Sequence, residues 1–150
     1  MDVYRICLAK YAGELVASGL RARWNRKGNF VIYTAESRAL ACLENVVHRS
    51  GEGLSDVFKT VVIAVPDELP VEVVAADSLP ANWQETKDYP VCQELGNAWY
   101  ERGESAVLRV PSAIIPEEHN FILNTRHPDF AQLKIKAVED FFFDPRIKSG

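Results

Sequence analysis

Val3-Tyr4-Arg5-Ile6-Cys7-Leu8-Ala9 alternates apolar with mixed positions, the period of a strand packed on one face, and the run stops at Lys10. From Ala17 to Gly28 that period is lost. Arginines accumulate between Gly19 and Gly28, and the stretch predicts a long charged loop. Phe30-Val31-Ile32-Tyr33 is a short, mostly β-branched run expected as a buried strand. Spacing then turns helical from about Ser37 to Arg49, with Ser37 as N-cap and Gly51 and Gly53 as stops. Two strands, from Lys59 to Val65 and from Val71 to Ala75, are joined by the turn Pro66-Asp67-Glu68-Leu69-Pro70. A second helix is expected from Val91 to Arg102, ended by Gly103. Val107 to Val110, Phe121 to Leu123 and Leu133 to Phe143 supply further β segments. Strands mixed with two or three helices, without regular alternation, predict an α+β fold rather than a doubly wound sheet.

Composition narrows the classes. A chain of 150 residues, 47% hydrophobic and 25% charged, fits one globular domain and excludes a disordered or fibrous chain. The net charge of −4 argues against coating DNA or an anionic membrane, and leaves room for a local basic pocket. Val61-Val62-Ile63-Ala64-Val65 is among the longest apolar runs, far short of the roughly 20 residues a bilayer crossing takes. Asp2, Arg5 and Lys10 interrupt any secretory core, and Cys7, Cys42 and Cys92 form an odd, unpatterned set in apolar or mixed surroundings. The expectation is a cytoplasmic protein with reduced thiols.

Candidate chemistry begins on the first helix. At about 100° per residue, Leu40, Leu43 and Val47 fall on one face, and Glu44 lies about 40° from Leu40. A carboxylate inside an apolar arc needs a cation, a hydroxyl or a chemical task, because burying it ionised and alone costs several kcal/mol. A flank position reaching water or an arginine is the plainer reading. The second feature is Arg21-Ala22-Arg23-Trp24-Asn25-Arg26-Lys27, with four cations in an otherwise acidic chain. Planar guanidinium forks suit phosphate oxygens and Trp24 offers a stacking face, so the loop reads as an anion contact, an RNA contact or simply a solvated surface. Ser112, following a strand in Val110-Pro111-Ser112-Ala113, is a candidate hydroxyl or merely a turn residue. No glycine-rich dinucleotide fingerprint, Walker sequence, Gly-x-Ser-x-Gly elbow or metal-ligand spacing of His48, His119 and His127 occurs.

Taken in order, Tyr4-Arg5, Arg23-Trp24-Asn25 with Gly28, Val31-Ile32-Tyr33-Thr34, Leu43-Glu44, Leu79-Pro80 with Trp83, Gly96 with Trp99, Val110-Pro111-Ser112, His127-Pro128-Asp129-Phe130 and Phe143-Asp144-Pro145-Arg146 resemble the RES domain. That domain is found in toxins of RES–Xre toxin–antitoxin systems. Two departures stand out: Arg21-Ala22 where the family often has glycines, and Asn124-Thr125 where it has Asn-Pro. The resemblance implies an ADP-ribosyltransferase-like fold, with small mixed or antiparallel sheets and a few helices around a cleft for NAD+. It implies NAD+ as substrate rather than cofactor, with the nicotinamide–ribose bond broken and ribose passed to water, phosphate or a protein. It further implies an Xre-like helix-turn-helix antitoxin whose C-terminus blocks the cleft, and a toxin homodimer within that complex. No metal, nucleic acid or membrane partner is implied.

The residues suit such chemistry. Nicotinamide leaves from NAD+ as a neutral ring, so what helps is negative charge beside an oxocarbenium-like ribose, which Glu44 supplies while a nearby arginine keeps it ionised. Arg23 is expected to clamp a phosphate, with Arg5 and Arg21 as further phosphate contacts. Tyr33 is expected to stack on nicotinamide, and Ser112 to bond the nicotinamide or the nearby phosphate. Trp24 and His48 are read as structural, and Phe141-Phe142-Phe143 as core.

Overall fold

A computed structural model describes residues 1–48 and 57–147. Its elements run β1 (Asp2–Leu8), β2 (Val31–Ala35), α1 (Arg38–His48), β3 (Phe58–Ala64), β4 (Val71–Val73), α2 (Tyr89–Arg102), β5 (Val107–Pro111), β6 (His119–Asn124) and β7 (Lys134–Phe141), an α+β arrangement. Arg49, Gly51 and Gly53, read as the end of the first helix, lie outside the described residues. The start of α1 follows the sequence: the Ser37 hydroxyl accepts the Leu40 N–H at 3.1 Å. Gly103, at φ 63°, ends α2 with its N–H on the Trp99 carbonyl.

The strands do not form separate small sheets. They make one seven-stranded sheet in the order β4-β5-β6-β2-β1-β3-β7, antiparallel apart from the β4–β5 pair. The joint between its two parts is narrow. Val31 to Ala35 pair all along β6, whereas β1 meets β2 only at Tyr4 opposite Ala35, and beyond that point the two strands splay into a fork. One bridge therefore merges what the sequence treats as distinct sheets. The sheet also curls. Strands β3 and β5 stand four places apart, about 19 Å in a flat sheet, yet Val61, Ile63 and Val107 share one buried cluster with Val3, Ile32 and Leu123.

Each helix packs on its own part. α2 covers Leu108, Val110 and Ile122 with Cys92 and Trp99, and Trp24 and Trp83 complete that cluster. α1 covers Ile6, Ala35 and Phe58 with Leu40 and Ala41. This corrects the expected helix face, because Leu43 and Val47 are 36% and 54% exposed. Packing through Leu40 and Ala41 turns the helix so that Glu44, between them on the wheel, sits mid-face instead of on a flank. The terminal aromatics divide as well: Phe141 and Phe143 pack edge-on, Phe143 also against Phe58, while Phe142 is 82% exposed.

Candidate active site

The arginine-rich loop is an ordered scaffold. Gly19 and Gly28, at φ 76° and 95°, take the left-handed backbone that the neck of the loop requires, and the Gly28 N–H donates to the Gly19 carbonyl at 2.9 Å. Inside, the buried Asn25 amide donates to the carbonyls of Leu20 (2.9 Å) and Arg26 (3.0 Å). Its Oδ1 accepts the Tyr33 hydroxyl at 2.5 Å, and that hydroxyl accepts the Trp24 N–H at 3.0 Å. Burial pushes the Tyr33 phenol well above its ordinary range, so it serves as a neutral clamp on the loop.

Helix α2 holds the other side of the loop. Gln93 Nε2 donates to the Ala22 carbonyl at 2.9 Å, and Asn97 Oδ1 accepts the Arg26 N–H at 3.0 Å and Asn29 Nδ2 at 2.9 Å. The Tyr100 hydroxyl accepts the Phe30 N–H at 3.3 Å. Positions 93, 97 and 100 recur at helical spacing, and Gly96 lies between them, where a Cβ would stand 1.8 Å from the Trp24 carbonyl oxygen. The close approach of loop to helix exists because position 96 has no side chain.

Loop, fork and α1 enclose a cavity of about 580 Å³. β1 and β2 contribute Tyr4, Ile6, Tyr33 and Thr34 to its lining; α1 lends Glu44 and Asn45 as one wall, and Arg21 and Arg23 with Tyr89 form another. Arg5 lines it from the fork. One chamber thus gathers the expected Arg5, Arg21, Arg23, Tyr33 and Glu44. Arg23 donates to the carbonyls of Trp83 and Gln84, both at 2.7 Å, and its guanidinium stacks 4.4 Å from the Tyr89 ring. Two N–H donors are committed to carbonyls and the guanidinium also bonds the Cys92 thiol, so the group is firmly braced. Arg21 also lies over Tyr89, at 5.4 Å. Beside the Glu44 carboxylate the structure places a hydroxyl.

That hydroxyl is Ser112, expected as a contact to the nicotinamide or the nearby phosphate. Ser112 is 0% exposed; its Oγ donates to Glu44 Oε1 at 2.9 Å while accepting the Ile114 and Ile115 N–H groups, each at 3.1 Å. In this arrangement the hydroxyl aims the carboxylate and does not itself line the cavity. Ser112→Ala strands two N–H groups and one carboxylate oxygen. The expected result is a loss of about 1–3 kcal/mol in urea unfolding.

Cys92 lies fully buried beneath Arg23. Burial pushes its thiol above the ordinary range, and the guanidinium offsets only part of that. Cys7 is raised in the same way, with Arg5 opposing. A raised thiol pKa lowers the reactive thiolate fraction, so both should resist iodoacetamide at pH 8 in the folded protein and react in urea, as mass spectrometry would read. Among the described residues no three His, Cys, Asp or Glu side chains converge as metal ligands, and no helix is long and apolar enough to cross a membrane.

A RES domain profile matches residues 2–144. The chain belongs to the RES domain family. It is similar to the Prs ADP-ribosylating toxin of Sphingobium sp. strain YBL2, at 40% identity over 91% of this chain and 84% of that one. It is also similar to the proteins named Toxin Res of Yersinia enterocolitica, 33% identical over 99% of this chain and 100% of that one, and of Photorhabdus laumondii, 35% identical over 98% and 97%. In this RES domain both departures have local partners. The Thr125 hydroxyl donates to the Phe30 carbonyl at 2.6 Å, and Ala22 pairs with Asn25 across the loop. Sequence reasoning passed over Asn25, Tyr89, Gln93 and Asn97 as site residues. Only Asn25 carried a local signal, a small amide within a loop bounded by glycines.

Proposed function

We propose that this RES domain is a toxin that depletes NAD+ by cleaving its nicotinamide–ribose bond. One observation carries the reading: a carboxylate, Glu44, aimed by a buried hydroxyl into a chamber walled by Arg5, Arg21 and Arg23. Cations on one side and a carboxylate on the other match a ligand with a pyrophosphate and a ribose that turns cationic. The C1′–N1 bond breaks, its electron pair returns to the pyridinium nitrogen, and neutral nicotinamide departs without a general acid. Glu44 lies where positive charge grows on the ribose. Water or phosphate then bonds C1′ and loses a proton to solvent. The fork in the sheet serves as the cleft, which we read as the ADP-ribosyltransferase-like feature of the fold.

A second outcome is favoured by the name of the Sphingobium relative: transfer of ADP-ribose to a protein. An RNA- or phosphate-binding module has less support, because in the loop it would use Arg26 is paired with Glu101 at 2.6 Å, and the cavity sets a carboxylate, Glu44, opposite the cations. The reading also makes the protein cytoplasmic, neutralised by an Xre-like helix-turn-helix antitoxin and dimeric within that complex.

Purified protein incubated with NAD+ should release nicotinamide, faster with inorganic phosphate if phosphate is the acceptor. With labelled NAD+ and lysate, label confined to small molecules supports degradation and label on a protein supports transfer. Salt-sensitive RNA binding without nicotinamide release would overturn both.

A further inference from the structure

A second cavity, of about 830 Å³, adjoins the first and shares Arg5 and Tyr33 with it. It is walled by the connection that follows β1 and by β2, with Val16, Val31 and Ile32 as apolar lining. Both cavities fall within the roughly 300–1,000 Å³ of small-molecule sites. They meet at the fork, where β1 and β2 have parted. Arg5 stands at that junction, half-buried, and among the described residues no hydrogen bond or ion pair engages its guanidinium. A guanidinium with its donors uncommitted, at the junction of two cavities, is placed to receive an anion. At the far side Tyr11 is 56% exposed, its ring 5.1 Å from the Lys10 ammonium. An open phenol face beside a cation, with Glu14 also on the wall to accept from hydroxyl or amino groups, suits a flat polar ring.

We propose that this second cavity is the seat of a purine nucleoside 5′-phosphate, with the phosphate on Arg5 and the base against Tyr11. The inference rests on the dinucleotide reading above and extends it: a pyridine dinucleotide lies through the fork, its reacting end beside Glu44 and its adenosine end beyond Arg5. The bond that breaks is then remote from much of the binding surface, so the intact dinucleotide is a better substrate than nicotinamide mononucleotide.

Gly13 allows a direct test. It lines the second cavity and not the first, its φ is not positive, and a Cβ there meets nothing within 4 Å. Gly13→Trp therefore places an indole in the cavity without backbone strain. AMP binding, measured by calorimetry, should weaken about tenfold or more in Gly13→Trp and in Tyr11→Ala, whose exposed ring is not needed for folding. KM for NAD+ should rise by a similar factor with kcat within about twofold, and cleavage of nicotinamide mononucleotide should be unchanged. Wild-type affinity for AMP in both variants, or no AMP binding by the unaltered protein at millimolar concentration, overturns the proposal. AMP binding that is lost in both variants, from a protein that releases no nicotinamide, supports this site and removes the reading of the first cavity instead.

Discussion

Glu44→Gln should release nicotinamide on the order of 10³-fold more slowly than the unaltered chain, with an unchanged circular dichroism spectrum. The amide matches the carboxylate in shape, so Ser112 still has an oxygen to donate to, and the packing of Leu40 and Ala41 is untouched. What disappears is charge. A neutral group beside the ribose binds the resting substrate nearly as well and stabilises the cationic transition state far less, so kcat falls while KM stays close to wild type. Stopped nicotinamide assays at saturating NAD+ separate the two constants. Unaltered turnover in this variant would place the reacting bond elsewhere.

The second large effect comes from a residue that touches no substrate. Gly96→Ala should slow nicotinamide release on the order of 10²-fold and destabilise the protein by about 1–3 kcal/mol, the usual range for an overpacked site. Its methyl would stand 1.8 Å from the Trp24 carbonyl, and backbone cannot rotate out of the way as a flexible side chain can. Either the loop lifts from α2 or the helix shifts. Lifting the loop moves Arg23 with it and loosens the bonds from Gln93 and Asn97, and misplacement by about 1 Å can cost on the order of 10²-fold in rate. Gly13→Ala, at a position with open space, is the control for folding and should melt as the unaltered protein does. Thermal melts paired with single-turnover rates distinguish the two glycines.

How much of this was legible in the sequence depends on range. Alternation marked β1, β-branched residues marked β2 and β3, and Ser37 and Gly103 marked helix ends, because each signal concerns neighbours along the chain. The merging of small sheets into one rests on Tyr4 meeting Ala35, a contact between residues that no periodicity connects. The rotation of α1 was hidden for a similar reason. A helical wheel weighs Leu43 and Val47 as apolar, but which arc is covered depends on the shapes of Ile6, Ala35 and Phe58 across the interface. Glu44 stood out as a carboxylate in an apolar arc, whereas the duty of Ser112 did not. Only the fold sets a serine 68 positions away against that carboxylate. The purpose of the polar stripe Gln93, Asn97 and Tyr100 shows only in the loop laid over it, which lies some 70 positions away in the chain.

Glu44 also has a mechanical part. Ser112 follows β5, in the portion of the sheet that ends with β2, while Asn45, the next residue of the helix, donates to the Ile6 carbonyl on β1 at 3.2 Å. Two successive side chains thus fasten the two leaves of a sheet that share a single rung. Aperture and reactivity are geared together: anything that pries the leaves apart pulls on the strut that carries the charge, and anything that draws them together sets it.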